Sequence, residues 1–156
     1  MKIFSNIFFV LSVALLIPAA MGSPMNVSAR SDLEKIKASD IFSVEILAIP
    51  PNLSTIVNIT QETIRRGYFY KITIQDINIT PYRKTFKEAL MSATAELKSS
   101  ASDLRWAIII YDKNRSEIGA IYFNENGESG AVNDNYVNFG GNLYKWLNKN
   151  FADVVK

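Results

Sequence analysis

The chain has 156 residues, 48% hydrophobic and 21% charged, an ordinary globular mix that allows one packed domain and argues against disorder. Its net charge is +2, from 17 Lys and Arg against 15 Asp and Glu, so composition gives no reason to expect a nucleic-acid partner, which usually draws a clear basic excess. With no Cys and no His, a disulfide framework, a His acid/base and zinc, haem or iron–sulfur sites built from their usual ligands are all excluded.

Met1-Lys2, the apolar segment Ile3 to Ile17 and the small-residue region Pro18 to Gly22 follow the three-part pattern of a secretory signal peptide over residues 1–22. Cleavage is expected after Gly22, where Ala20 and Gly22 satisfy the small-residue rule; Val27 and Ala29 offer a second site. The apolar run is shorter than the roughly 20 residues that span a bilayer, and no Cys lies near the junction to carry a lipid, so no stable membrane anchor is expected after cleavage. Five Asn-x-Ser/Thr tripeptides begin at Asn26, Asn52, Asn58, Asn78 and Asn114. In an Asn-rich chain they are read as chance, and an exported domain without disulfides fits a bacterial periplasm or exterior better than a eukaryotic secretory route.

Residues 23–37 read as a flexible polar arm, with Ser31-Asp32-Leu33-Glu34 able to cap a short helix, and residues 38–156 as a single globular domain. Alternation of Phe42, Val44, Ile46 and Ala48 with polar neighbours predicts a strand that Pro50-Pro51 ends. Leu53 to Ile59, rich in β-branched residues, predicts a short strand followed by a helical turn from Thr60 to Arg66, although a helix would also fit these residues. Tyr68, Tyr70, Ile72 and Ile74 define the next strand. Thr80 as cap and Pro81 at the first helical position open a helix over 80–99, whose stripe is Tyr82, Phe86, Ala89, Leu90, Ala93 and Leu97. Trp106 to Tyr111 is apolar on both alternating sets, which predicts an interior strand covered on both faces. A charged turn at Asp112 to Glu117, a return strand to Phe123, an Asn126-Gly127 turn and a polar third run to Phe139 complete a meander, the third run being expected at an edge. Gly140-Gly141 then breaks the chain, and Asn142 caps a C-terminal aromatic helix over 142–153.

The expected architecture is α+β: an antiparallel sheet of about five strands, the 80–99 helix packed on one face and the C-terminal helix on another part of it.

Chemistry is harder to find. There is no Gly-x-Ser-x-Gly elbow, no Ser-x-x-Lys dyad and no Gly-rich phosphate loop. Asp112 and Glu117 flank one turn, and Glu125, Glu128 and Asp134 are grouped near the next, but charged turns with Lys113 and Arg115 alongside are ordinary solvated turns. Asp112-Lys113-Asn114-Arg115-Ser116 starts like a calcium loop yet lacks its Gly and its final Glu. No metal site and no cofactor is expected. What remains is recognition by surface, through Lys113, Asn114, Arg115, Asn133, Asn135, Tyr136 and Asn138, where Tyr, Asn and Arg adapt to a partner at small ordering cost. The functional expectation is an exported non-enzymatic binding protein, an inhibitor or immunity-type partner of another periplasmic or secreted protein. A small exported hydrolase using Asp or Glu, and a periplasmic ligand carrier, are the alternatives.

Overall fold

The structure, a computed structural model, describes residues 28–53, 55 and 57–155. The expected signal peptide, residues 1–22, and the start of the expected arm lie outside the described residues. No helix among the described residues is long and apolar enough to cross a membrane.

Among the described residues, four helices and seven strands alternate irregularly: α1 (Ser28–Ala38), β1 (Ser43–Ala48), α2 (Gln61–Gly67), β2 (Tyr70–Ile74), α3 (Tyr82–Ser92), β3 (Thr94–Leu97), β4 (Leu104–Tyr111), β5 (Glu117–Asn124), β6 (Ser129–Val132), β7 (Asn135–Gly140) and α4 (Leu143–Phe151). The strands form one antiparallel sheet in the order β2-β1-β4-β5-β6-β7-β3. The class is therefore α+β as expected, but with seven strands rather than about five.

The sheet is covered on both faces. Val44, Ile46, Ile108, Ile110, Ile121 and Phe123 point into the larger core, which α1, α3 and α4 close with Leu33, Ile36, Phe86, Leu90, Trp146 and Phe151. The alternate set, including Leu47, Ala107, Ile109, Ala120 and Tyr122, faces a smaller core under Ile59 and Ile64. That explains why β4 has no polar side: seven of its eight residues are buried, because each alternating set meets its own core. Trp146 packs edge-on against Tyr82 at 6.2 Å and lies 4.9 Å from Phe86, while its Nε1 donates to Thr85 Oγ1 at 3.1 Å; this aromatic cluster locks α4 to α3.

Several expectations are corrected. Part of the arm, Ser28–Ala38, is helix α1, held down by Ala29, Leu33 and Ile36 at helical spacing with each only 1% exposed. Asp32 lies inside that helix, where it pairs with Lys35, and so does not begin it. No strand occurs among the described residues of 53–59, whereas the expected helical turn from Thr60 to Arg66 is present as α2, capped by Thr60, whose Oγ1 accepts from Thr63 N at 3.3 Å. The 80–99 helix ends at Ser92, and Thr94–Leu97 becomes β3, pairing with Val137–Gly140. Thr80 does not cap α3; its hydroxyl donates to Ile77 O at 3.0 Å within a preceding 3₁₀ turn. Asn142 stands at the cap position of α4 without a side-chain capping bond. The single third run is two strands, β6 and β7, and β7 is not an edge because β3 lies beyond it.

Two glycines are needed where they stand. Gly127 takes a φ of +73° in the β5–β6 turn with the Tyr144 ring against its α-carbon. A Cβ on Gly130 would lie 1.8 Å from the Tyr122 carbonyl oxygen, so only glycine lets β6 approach β5 there.

Candidate functional site

The strand directions bring the exit of β2, the β4–β5 turn and the β6–β7 turn to the same end of the sheet. All three non-glycine residues with left-handed backbone among the described residues are found there: Asp76 (φ 46°), Arg115 (φ 64°) and Asn133 (φ 49°). Asp76 and Asn133 are types that tolerate this conformation, and their side chains support it: Asp76 Oδ1 accepts from Asn78 N at 3.3 Å and Asn133 Oδ1 from Ala120 N at 3.0 Å. Arg115 has no such help. It is the fourth residue of the turn closed by Arg115 N donating to Asp112 O at 3.1 Å, a position that favours glycine.

Helix α2 lies against this end on the smaller-core face. Ile64 is fully buried beneath it, and the connection leading to it is clamped by Arg105, which is only 7% exposed. The Arg105 guanidinium donates to Asp103 Oδ2 at 3.0 and 2.6 Å, to Pro50 O at 3.2 Å and to Leu53 O at 2.9 Å, while Asp103 Oδ1 accepts from Ile59 N at 2.7 Å. A buried cation is thereby satisfied at every side, and α2 is fixed relative to the sheet.

Between α2 and the two turns lies an open recess of about 570 Å³. Its wall is organised by Arg65. Nη1 and Nη2 donate to the two oxygens of Glu117 at 2.9 and 2.6 Å, Nε donates to the Tyr122 hydroxyl, and the guanidinium carbon sits 5.7 Å from the centre of the Tyr122 ring. The bond to Arg65 holds the Glu117 carboxyl below its usual range, and the Arg65 guanidinium is pushed further up in turn. Burial raises the Tyr122 hydroxyl despite the opposing pull of Arg65. Gln61 ties the opposite wall down: its Oε1 accepts from Tyr136 OH at 3.3 Å and its Nε2 donates to Asn133 O at 3.5 Å.

A second depression, about 460 Å³, opens on the other side of Tyr111 toward β1 and β2, with Arg115 at its rim. Tyr111 OH donates to Glu45 Oε2 at 3.3 Å, and Lys71 Nζ lies 2.8 Å from Glu45 Oε1. Burial first, then the negative charge of Glu45, pushes the Tyr111 hydroxyl up to about 12.

The expected site residues divide in this frame. Lys113, Asn114 and Arg115 are exposed at the β4–β5 turn; Asn133 and Tyr136 are partly buried beside α2. Asn135 turns to the opposite face, where its Nδ2 donates to Ser28 Oγ at 3.1 Å and Asp32 Oδ2 at 3.3 Å of α1. Asn138 is exposed in mid-strand between Ser129 and Glu96, away from the turns. The carboxylate groupings also change. Asp112 Oδ1 accepts from the backbone N–H groups of Asn114 and Ser116, both at 2.8 Å, so it builds the turn instead of facing Glu117. Glu117 pairs with Arg65 and not with Lys113 or Arg115. Asp134 sits at the recess, at the opposite end of β6 from Glu125 and Glu128. Arg65, Gln61 and Tyr122 were not singled out by sequence; the only available signal was the Thr60 cap, which places the helix but not what its side chains reach.

No protein-family model matches the chain, and neither the curated proteins nor the solved structures contain a match to it.

Proposed function

We propose that the chain is an exported, non-enzymatic binding protein, of the inhibitor or immunity-partner kind, that engages another exported protein through α2 and the adjoining β4–β5 and β6–β7 turns. The observation that carries this reading is the division of labour among charges at that end. Arg65, Glu117, Tyr122 and Gln61 are committed to one another or to the sheet, giving a preorganised wall, whereas Lys113, Arg115 and Asp134 are exposed and in no salt bridge among the described residues. A rigid wall lowers the ordering cost of association, and free rim charges of both signs select and steer a complementary partner.

The hydrolase alternative draws less support from the same residues. A carboxyl serving as general acid must hold a proton near neutral pH, and Glu117 is shifted the other way by Arg65.

The test is affinity capture from an extract of exported proteins, with the wild-type mature chain and with the double variant Arg115→Glu/Asp134→Lys. The reading predicts one stoichiometric partner retained by wild type and lost from the variant. Empty captures together with a hydrolytic activity that disappears in Glu117→Gln would overturn it.

A further inference from the structure

The seven-stranded sheet has two open edges, β2 and β3, and they are treated very differently. An unpaired edge is a template for further strand addition, and proteins blunt it with charge, proline, bulges, brevity or a covering element. β3 shows three of these devices: it has four residues, carries the exposed Glu96, and is packed against α1. β2 shows none. Its five residues, Tyr70-Lys71-Ile72-Thr73-Ile74, pair with β1 without a bulge or a proline, and its single charge is already neutralised, Lys71 Nζ lying 2.8 Å from Glu45 Oε1.

Exposed apolar side chains also flank this strand in sequence. Tyr70 and Ile72 are only partly buried at the margin of the larger core. Of the large hydrophobic side chains left exposed among the described residues, Tyr68 and Phe69 immediately precede β2, and Ile79, 82% exposed, follows it by five positions.

We infer that β2 is the contact edge of a homodimer in which β2 of one copy pairs antiparallel with β2 of a second, joining the two sheets into one. The occupant is a second copy because the strand is complementary to itself. Directly opposed residues in an antiparallel pair share a face, so a two-fold axis through the pair must pass through a residue of the strand. Centring on Ile72 opposes Tyr70 with Ile74, Lys71 with Thr73 and Ile72 with its own copy, and it is the only register that uses all five residues of both strands. Centring one residue earlier would run Ile74 against Tyr68, which precedes the strand. Centring one residue later would run Tyr70 against Asp76, which has left the strand in a left-handed conformation. A foreign strand would need to supply no charge, since the edge offers none free; a second copy meets that condition by construction. Pairing consumes the unprotected edge of each copy and leaves only the two guarded β3 edges outermost, so the assembly closes at two.

Because the chain contains no Cys, one introduced cysteine reports this geometry without background. Ile72→Cys treated with a short bis-maleimide is expected to become a covalent dimer, while Glu96→Cys, exposed on β3 at the opposite edge of the sheet, stays monomeric. Sedimentation equilibrium of the wild-type mature protein is expected to give twice the monomer mass, and Ile72→Lys, with an unchanged circular dichroism spectrum, the monomer mass. A wild-type chain that sediments as a monomer at micromolar concentration, or Ile72→Cys that crosslinks no better than Glu96→Cys, overturns the dimer. Oligomers that keep growing with concentration overturn the closed pair. Should Ile72→Lys fail to fold, the crosslinking comparison decides alone.

Discussion

Arg65 reaches across from α2 to grip both carboxylate oxygens of Glu117 at the first residue of β5, at 2.9 and 2.6 Å, and so joins a helix of one face to the turn end of the sheet. The pair has a definite pH signature. Because Glu117 is held below its ordinary value of 4.5, the stability it contributes is present above that value and is lost as pH falls through the depressed one. Both side chains are about a third exposed, at 35% and 37%, which limits the contribution to about 0.5–1 kcal/mol. Glu117→Gln should therefore lower stability by about that amount at neutral pH, and urea unfolding of the two proteins should converge in acid. A gap that persists unchanged at low pH would show that the pair is not its source.

Tyr111 gives the complementary signal in alkali. Its hydroxyl is pushed up to about 12 from an ordinary 10.0, so the neutral form is favoured in the fold, and the associated stability is present below 10.0 and drains away as pH rises toward 12. Ultraviolet titration of tyrosinate should show a late-ionising residue that disappears in Tyr111→Phe. Loss of only an early-ionising residue from the curve would contradict the Tyr111–Glu45 arrangement.

α2 rests on a single fully buried side chain, Ile64. Ile64→Ala should cost about 2–5 kcal/mol, the range for large-to-small changes in a packed core. Hydrogen exchange should then rise first in residues 57–67, because the larger core on the opposite face does not involve them. Uniform acceleration across the sheet would mean that the smaller core is not a separate stabilising unit.

Gly130→Ala should be among the most damaging single changes, since the added methyl would sit 1.8 Å from a backbone oxygen and only separation of β5 from β6 relieves it. Thermal unfolding that matches wild type would be inconsistent with this strand contact.

Helix α1 also bears on the choice between the two expected cleavage positions. Ala29, the second candidate cleavage position, is 1% exposed within α1, so a cut there would remove a core residue, whereas a cut after Gly22 leaves the helix whole. If the chain is exported as proposed, mass spectrometry of the mature product should find Ser23 at the N-terminus; a chain beginning at Arg30 would contradict that expectation.

How much of this was legible in the sequence depended on whether a local pattern carried the information. β4 was, because its doubly apolar alternation has one economical reading, and so was the C-terminal helix with its Trp146 stripe. β3 was hidden because Ala93 and Leu97 continue the apolar spacing of α3; what ends the helix is tertiary, with Asn142 N donating to Ser92 Oγ at 2.9 Å and β7 offering a ladder to Thr94–Leu97. Helix α1 is hard to see in the sequence because three small or branched apolar residues among many charges look weak alone and suffice only when a sheet waits to receive them. At the candidate site, the exposed turn residues were visible as turn chemistry, but the Arg65–Glu117 pair spans 52 positions and no local spacing encodes it.

The central claim is that α2 and the two turns beside it form the partner-binding surface. Hydrogen–deuterium exchange on the complex with the captured partner tests it most directly. The account predicts protection concentrated in residues 61–66, 113–115 and 133–134; protection confined to α3 and α4, with those three segments unchanged, would contradict it.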